Sequence, residues 1–459
     1  IPARLRPLVE ETRDIAERFA RAGYRLYLVG GVVRDALIDR LDEDSDLDFT
    51  TDARPDDIEA VVAGWAESVW TQGKRFGTIG VRKNGRDLEI TTHRSEAYSA
   101  DSRHPEVVFA DAIEADLSRR DFTVNAMALS LPDLQLVDPF DGIGDLAAER
   151  LRTPLSPEES FTDDPLRMMR AARFIAGYRL VPVPELVEAV TGLRARLDIV
   201  SDERIRDELD KLVVVEHPAE GLWFLVNTGL AAEFLPELPA LAVEQDPIHR
   251  HKDVLAHTIA VVEKCRRDRI VRLAALFHDV GKPKTRSFGP GGMVSFHHHE
   301  VVGARIARDR MRALRYPTED IDQVCRLVEL HLRFHTYKMG WNDSAVRRYV
   351  RDAGPLLERL NELTRNDCTT RNPAKARALE KRLDELDRRI AELREQEELA
   401  GIRPDLDGNE IMARLGLKPG PAVGQALDFL LELRLEEGPL DKDEAGRRLD
   451  AWWAERQSG

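Results

Sequence analysis

A change of hydrophobic period part-way along the chain restricts its fold more than any other feature. Between residues 25 and 150, short apolar runs alternate with turns: RLYLV (25–29), LDFTT (47–51), GTIGVRK (77–83) and RDLEITTHR (86–94). Such alternation marks half-buried strands, and Asn84-Gly85 between the last two runs predicts a two-residue hairpin turn. From about residue 160 onward the strand signal fades and 3.6-residue periodicity dominates to the end. A helix is also predicted over 1–24, carrying Leu5, Leu8, Val9, Thr12, Ile15, Ala16 and Phe19, with Gly23 stopping it. The expected class is α+β: a head of mixed sheet and helices, followed by helical regions. Pro-rich breaks at 181–184 and 236–247 mark boundaries, and a Gly/Pro stretch at 289–292 reads as a loop. Leu379, Leu383, Leu386, Ile390 and Leu393 repeat with 4,3 spacing until Glu397 interrupts. Two heptads are too few for a free coiled coil, so a packed tail helix is predicted.

Charge and cysteine usage narrow the function classes. Lys+Arg total 68 against 83 Asp+Glu, a net charge of −15, which excludes non-specific coating of nucleic acid but leaves room for local basic patches. Cys265, Cys325 and Cys368 lie far apart, which argues against a disulfide framework and a thiolate zinc site. No apolar run reaches the ~18–20 residues of a membrane span. The chain opens at Ile1 with no signal-like hydrophobic segment, so a cytoplasmic protein without membrane contact is expected.

The run Leu28-Val29-Gly30-Gly31-Val32-Val33-Arg34-Asp35 reads as a strand, a two-glycine turn and a helix start. Such a turn is either a tight turn alone or one that lets backbone N–H groups approach a phosphate. Asp46-Leu47-Asp48 then opens an apolar strand, where residues two apart share a face. Because Asp42, Glu43 and Asp44 precede it, an acidic loop end is the plainer reading of that pair taken alone. In RDLEITTHR, however, Asp87, Glu89 and Thr91 face one side, and Leu88, Ile90 and Thr92 the other. A carboxylate in mid-strand is unfavourable for β structure. Convergence of Asp46, Asp48 and Glu89 on two hard divalent cations supplies a reason. Two such ions stabilise the attacking and leaving oxygens of an in-line phosphoryl displacement.

GGVVRD, DLDFTT, EITTHR, RRDFTVNA (119–126) and DDPLRMMR (163–170) occur in that order. Together they resemble the class II tRNA nucleotidyltransferase (CCA-adding enzyme) and bacterial poly(A) polymerase family, within the polymerase-β-like nucleotidyltransferases. The resemblance covers essentially the whole chain. It implies that Asp46 and Asp48 bind the catalytic Mg2+ ions with Glu89 as third carboxylate, and that Gly30, Gly31 and Arg34 form part of the nucleotide-binding set. It further implies that Arg119-Arg120-Asp121 contacts the sugar and excludes deoxynucleotides, with Asn125 as a further contact. By chemistry alone Arg119 and Arg120 are either a solvated surface pair or cations for a triphosphate, and Asp121 is an acceptor for ribose hydroxyls.

Thr162-Asp163-Asp164-Pro165 reads as a helix start with Pro in the first turn, which makes Asp164 an N-cap. Pairing chemistry gives a second role. A carboxylate accepts from an exocyclic amine, while an arginine donates to a ring nitrogen or carbonyl. Cytosine and adenine match that pair; guanine and uracil present the reverse pattern. Asp164 with Arg167 would thus accept CTP and ATP, and the resembling family uses its Glu-Asp-x-x-Arg motif in this way, with Asp163 here where Glu is usual. Arg170 and Arg173 follow at helical spacing, for phosphates or for salt bridges. SDERIRDEL (201–209) resembles the last neck motif, which braces helices. Segment 95–115, with Tyr98, His104 and Pro105, matches one that influences the switch from C to A addition.

Most of the 12 histidines cluster in the middle of the chain. His257 sits on an apolar helix, His278-Asp279 ends another just before Gly281-Lys282, and His299 follows a loop; His331 ends a helix, and Asp367 lies after Leu363. A lone histidine on an apolar face is usually a core residue. A His-Asp doublet with further histidines and a distal aspartate suits a borderline divalent metal such as Mn, Ni, Zn or Fe. The pattern resembles the HD phosphohydrolase superfamily. That implies His257, His278, Asp279 and Asp367 as ligands and His299 and His331 toward a second metal, with His297 and His298 as loop residues. The implied activity is phosphomonoester or phosphodiester hydrolysis on RNA 3′ ends or 2′,3′-cyclic termini; a domain that only binds RNA is the alternative.

The tail mixes basic residues (Arg371, Lys375, Arg377, Lys381, Arg382, Arg388, Arg389) with many acids. Asp407–Met412 and Lys418–Gly424 resemble tail motifs that grip an RNA backbone. The expected division is a nucleotidyltransferase head (1–155), a helical neck (156–243), an HD domain (244–370) and a helical tail (371–459). The expected function is template-independent addition of CCA to tRNA from CTP and ATP. Poly(A) addition to RNA 3′ ends is the rival of the same class. Rivals of other classes are an HD phosphohydrolase with a regulatory head and an RNA-binding scaffold.

Overall fold

A computed structural model describes residues 6–41, 46–97, 106–243, 253–290, 293–337, 340–368, 373–397, 399 and 401–458. Leu5, the acidic run 42–44, Tyr98, His104, Pro105, Arg371, and parts of the breaks at 236–247 and 289–292 lie outside the described residues. The chain divides into two compact units, Ile1–Pro236 and Glu237–Gly459.

The first unit is built on a seven-stranded mixed sheet. Its strands are β1 (Leu26–Val29), β2 (Leu47–Thr51), β3 (Ser68–Trp70), β4 (Thr78–Lys83) and β5 (Arg86–Thr92). A separate hairpin, β6 (Arg94–Ala97) and β7 (Glu106–Phe109), follows before β8 (Ala128–Leu131) and β9 (Leu136–Val137) complete the main sheet. The order across that sheet is β3-β4-β5-β2-β1-β8-β9. Neighbours run antiparallel except β2 and β5, which are parallel. The β4–β5 connection is the predicted Asn84-Gly85 turn, with φ of 51° and 77°. Two successive positive φ values give the turn a twist that matches the strands.

Alternation along the strands sorts the two faces. Leu26, Leu28, Leu47, Phe49, Ile79, Val81, Leu88 and Ile90 join one apolar core with Leu8, Ile15 and Phe19 of the helix Arg6–Arg21 and Ile58 and Val62 of the helix Pro55–Val62. Each such side chain contributes about 1.5–3 kcal/mol on burial. The opposite face carries Tyr27 and Val29 of β1, Asp48 and Thr50 of β2, and Glu89 of β5. The first face packs the larger apolar core; on the second, Tyr27 and Val29 pack a smaller one with Ile113, Leu117, Ala126 and Ala128, and Asp48 and Glu89 stand beside it on β2 and β5.

In the first unit helices follow the sheet, as the period predicted, apart from a short pairing in which β10 (Arg150–Leu151) runs parallel to β11 (Val181–Pro182). The segment 162–165 is not a simple helix start. A helix Pro157–Asp163, opened by the capping box of Ser156 and Glu159, ends there, and the helix Leu166–Tyr178 begins at once. Pro165 cannot continue the first helix and is well placed to open the second.

The second unit is helical apart from a hairpin, β12 (Arg286–Phe288) and β13 (Val294–Phe296). Its long helix Pro373–Gln396 buries Leu383, Leu386, Ile390 and Leu393 against neighbouring helices, as a packed element rather than a free coil. Glu397 breaks the leucine pattern because it is needed as an anion: its carboxylate lies 2.9 Å from Arg347 Nε, with both side chains buried. Arg347 also donates to the Leu435 and Glu436 carbonyls, closing the end of the helix Pro421–Glu437.

Candidate active sites

Asp48 and Glu89 are register partners on the parallel strands β2 and β5, so both carboxylates stand on the polar face of the sheet. Asp46 is exposed immediately ahead of β2. Burial raises the Asp48 carboxyl above its ordinary value, Glu89 and Asp46 add to the rise, and Arg120 opposes it. A largely buried carboxyl raised partly by two neighbouring carboxylates belongs to a donor set fitted to a hard cation. Across the turn from them, Gly30 adopts φ of +77°, and a Cβ there would lie 3.1 Å from Arg120 Nη1 and 4.0 Å from Asp48 Oδ2. The positive φ favours glycine here, and a Cβ would in addition crowd the Arg120 guanidinium.

Asp116, which the sequence reading did not single out, organises the arginine pair. Its Oδ1 lies 2.9 Å from Arg119 Nη2 and its Oδ2 3.1 Å from Arg120 Nη2, and it also accepts the backbone N–H of Arg94 at the root of the β6–β7 hairpin. Burial works to raise this carboxyl, but the two guanidiniums prevail and hold it at about 2. The signal was present in the spacing, since Asp116 precedes the arginines by three and four residues at the end of a short helix. His93 was also missed. It is fully buried at the end of β5, with Nδ1 2.8 Å from Thr50 Oγ1, and burial keeps its ring toward the neutral form.

Behind this face runs a buried polar network. Arg34 pairs with Asp35, donates to Asn125 Oδ1 and to Tyr178 Oη, and lies against the Tyr178 ring. Asn125 donates to Asp121 Oδ1 at 2.9 Å, and Phe122 N–H to the same oxygen at 2.8 Å. Arg170 binds Asp121 Oδ2 through Nε at 2.8 Å and Nη2 at 2.6 Å. Those four donors occupy the acceptor capacity of Asp121. Asp121 in this arrangement anchors Arg170 and does not present a free acceptor for ribose; burial notwithstanding, Arg170 and Asn125 hold its carboxyl at about 2. Arg173 lies 2.8 Å from the buried Glu208, so of the two sequence readings Arg170 and Arg173 take the salt-bridging one here. Glu208 belongs to the 201–209 stretch.

Asp164 and Arg167 flank the junction between the two neck helices. Asp164 Oδ1 accepts Leu166 N–H at 3.2 Å, a cap for the second helix, and its Oδ2 lies 3.3 Å from Arg204 Nη2. Arg167 is buried; Nη1 donates to Ser160 Oγ at 2.9 Å and Nη2 to the Arg119 carbonyl. The side chains thus hold different partners, and Arg167 is joined directly to the backbone of the RRD motif.

The second unit gathers the six predicted HD residues. His257 comes from the helix Val254–Lys264, and His278 and Asp279 from the end of the helix Arg269–Phe277. His299 opens the helix His299–Ala313, His331 caps Thr318–Leu330, and Asp367 ends Leu357–Asp367. They form two groups, His257/His278/Asp367 and Asp279/His299/His331, each with ligating atoms within 4.8 Å of one another. Among the described residues no other groups of three are that tight, the head carboxylates included. His257 Nε2 is 2.9 Å from Asp367 Oδ1, and His299 Nε2 is 3.3 Å from Asp279 Oδ1. His278, His299 and His331 each donate Nδ1–H to a carbonyl three residues back, at 2.7, 2.8 and 2.6 Å. That fixes the tautomer, leaving three buried Nε2 lone pairs without a hydrogen-bond partner. Orphaned acceptors beside two carboxylates fit a divalent metal. Without one, Asp279 and Asp367 overcome burial and push His278 up to about 10, while burial and the neighbouring His278 push His331 down to about 4. Lys282, unassigned in the sequence reading, pairs with Asp279 Oδ2 at 2.7 Å. Gly281 lets the two HD turns pack, since a Cβ there would lie 2.1 Å from the His299 carbonyl.

Comparison with known proteins agrees with this division of labour. Residues 26–152 match the family described as "Poly A polymerase head domain", 183–241 the "Probable RNA and SrmB- binding site of polymerase A", and 254–372 the "HD domain". An "A-adding tRNA nucleotidyltransferase" of Deinococcus radiodurans is 35% identical over 371 residues, covering 78% of this chain and 83% of the relative. A "CCA-adding enzyme" of Streptococcus thermophilus is 30% identical over 437 residues, covering 95% and 94%. The chain belongs to the tRNA nucleotidyltransferase and poly(A) polymerase family. As a member of that family it is a nucleotidyltransferase, an enzyme class that normally employs divalent metal. Its fold is that of a crystal structure titled as the Bacillus stearothermophilus CCA-adding enzyme in complex with CTP, with TM-score 0.71 and 24% identity over 100% of both chains. Among the described residues no helix is long and apolar enough to cross a membrane.

Proposed function

We propose that this nucleotidyltransferase builds CCA on tRNA 3′ ends from CTP and ATP without a nucleic-acid template. The observation that carries the reading is the chain of contacts joining the Asp48/Glu89 pair, through Gly30 and Arg120, to Asp116, Arg119 and Arg167. Carboxylates for the reaction, cations for the triphosphate and a residue suited to reading the base meet on one unit. The 3′ hydroxyl oxygen of the RNA bonds to the α-phosphorus as the bond to pyrophosphate breaks, and the hydroxyl proton is released. Asp46, Asp48 and Glu89 would hold Mg2+, which when bound activates the hydroxyl and neutralises the leaving pyrophosphate. Arg119 and Arg120, held in place by Asp116, meet the triphosphate. Asp164 and Arg167 accept cytosine and adenine and reject the reversed pattern of guanine and uracil. Relatives and neighbours named for CCA addition, including structures titled with CTP, ATP and tRNA, support this reading. Pyrophosphate release from CTP that requires a tRNA lacking its CCA is the direct test.

A second reading, addition of the terminal A alone, is favoured by the A-adding Deinococcus relative. A tRNA lacking the whole CCA, supplied with CTP, separates the two: the first reading incorporates C and the second does not.

The HD group adds a hydrolase activity to the same chain. His257, His278 and Asp367 would hold one divalent metal of the Mn, Ni, Zn or Fe class and Asp279, His299 and His331 another, supplying an activated water and charge neutralisation at phosphorus. Water adds across the phosphorus–oxygen ester bond, giving orthophosphate and a free hydroxyl. The functional division that fits these sites is head 1–155, neck 156–243, HD 244–370 and tail 371–459.

A further inference from the structure

The β12–β13 hairpin stands between the two HD turns, leaving Asp279 and Lys282 on one side and entering His299 on the other. Two apolar side chains beside its turn stand in water: Phe288 is 67% exposed and Met293 63%. Pairing sorts its faces. Arg286 is opposite Phe296 and Phe288 opposite Val294, so these four share a face, while Ser287 and Ser295 hydrogen-bond on the other. Phe296, at the base of that face, lies with its ring centroid 5.6 Å from Lys282 Nζ, which in turn pairs with the Asp279 carboxylate at 2.7 Å. Arg286 lies over the Phe288 ring at 4.9 Å, and its Nε is buried without an acceptor. Phe288 is two residues further out, about 6.7 Å along the strand.

From this we infer that the hairpin is a nucleobase platform for the HD site, selecting nucleotides and RNA 3′ termini over simple phosphate esters. With a phosphate at the histidine cluster beside Lys282, the ribose passes Arg286 and the base stacks on Phe288. Cations beside an exposed aromatic are the elements that bind single-stranded nucleic acid. An apolar protein partner would have no use for a guanidinium donor left unsatisfied beneath the ring. The inference rests on the hydrolase reading of the HD cluster.

The test uses the full chain with Mn2+ and two substrates, adenosine 3′-monophosphate and glycerol 2-phosphate, which has no base. Phe288→Ala should raise KM for the nucleotide roughly 5- to 100-fold, the loss of one stacked base, and leave KM for glycerol 2-phosphate and both kcat values unchanged. Phe288→Tyr should restore the nucleotide KM. Equal changes with both substrates would assign the hairpin a structural role, and no change with either would leave it to a protein contact; each outcome overturns the inference. If the unaltered chain hydrolyses neither substrate, the hydrolase reading itself fails, and the platform falls with it.

Discussion

Asp48 and Glu89 face each other in register across the parallel strands β2 and β5, with Arg120 bearing on the pair from the glycine turn. Like charges held side by side by a sheet oppose folding and serve only when a cation is present. On the proposed reading, Glu89→Gln should lower nucleotide addition by about 100-fold or more, since it would remove a carboxylate from a two-cation site. Thermal melts in chelator should show no loss of stability for this variant, because repulsion on Asp48 is relieved. A lower melting temperature in chelator would contradict that account.

Asp116 and Asp121 make the folded state sensitive to acid. Both carboxyls are depressed from 3.8 to about 2 in the native protein. The unfolded chain therefore takes up protons first as pH falls. Their contribution, about 2 kcal/mol each, is fully present above about pH 4 and is lost as pH falls through about 2. Asp116→Asn should flatten the acid limb of a urea-denaturation series between about pH 4 and 2, and should destabilise the protein by about 3–5 kcal/mol at neutral pH by stranding two guanidiniums. An unchanged acid limb would show that Asp116 is not the group responsible.

Arg167 is placed to affect choice more than affinity. It is buried and tied to Ser160 and to the Arg119 carbonyl, so its guanidinium is fixed, as the proposed base-reading role requires. Arg167→Ala should lower the CTP-to-UTP preference by more than about tenfold, as loss of a charged hydrogen bond permits, while changing triphosphate affinity less. Equal loss with all four nucleotides would count against a base-reading role.

The two activities should separate cleanly by mutation. His278→Ala with Asp279→Ala removes one residue from each of the two ligand groups. Phosphate-ester hydrolysis should vanish while nucleotide addition persists within about two-fold, because the head carboxylates are built on another unit. Hydrolysis surviving in the double variant would place that activity elsewhere.

Much of this was legible before any coordinates. The Asn-Gly turn and the two faces of β5 follow from local rules, because period and spacing determine which side a residue takes; the HD ligand set, with His257 and Asp367 110 residues apart, was implied by the resemblance. Other features depend on who arrives from a distance. Asp121 looked like a ribose acceptor until Arg170, 49 residues away, filled its second oxygen. Glu397 looked like a flaw in a leucine repeat until Arg347 met it from another helix. At 162–165 an acidic residue before proline fits both a helix start and a helix stop, and the Ser156 capping box upstream makes it the end of one helix as well as the start of the next. Asp116 is not legible as a lone acid on a short helix; its role appears only where Arg119 and Arg120 both close on it.

The account as a whole turns on which nucleotides the head transfers and in what order. The most direct measurement is to sequence the 3′ ends made from a tRNA lacking CCA when CTP and ATP are supplied together. The account predicts two C residues followed by one A, with CTP alone stopping at CC. Addition of A only to a tRNA already ending in CC, or long A tails without C, would contradict it.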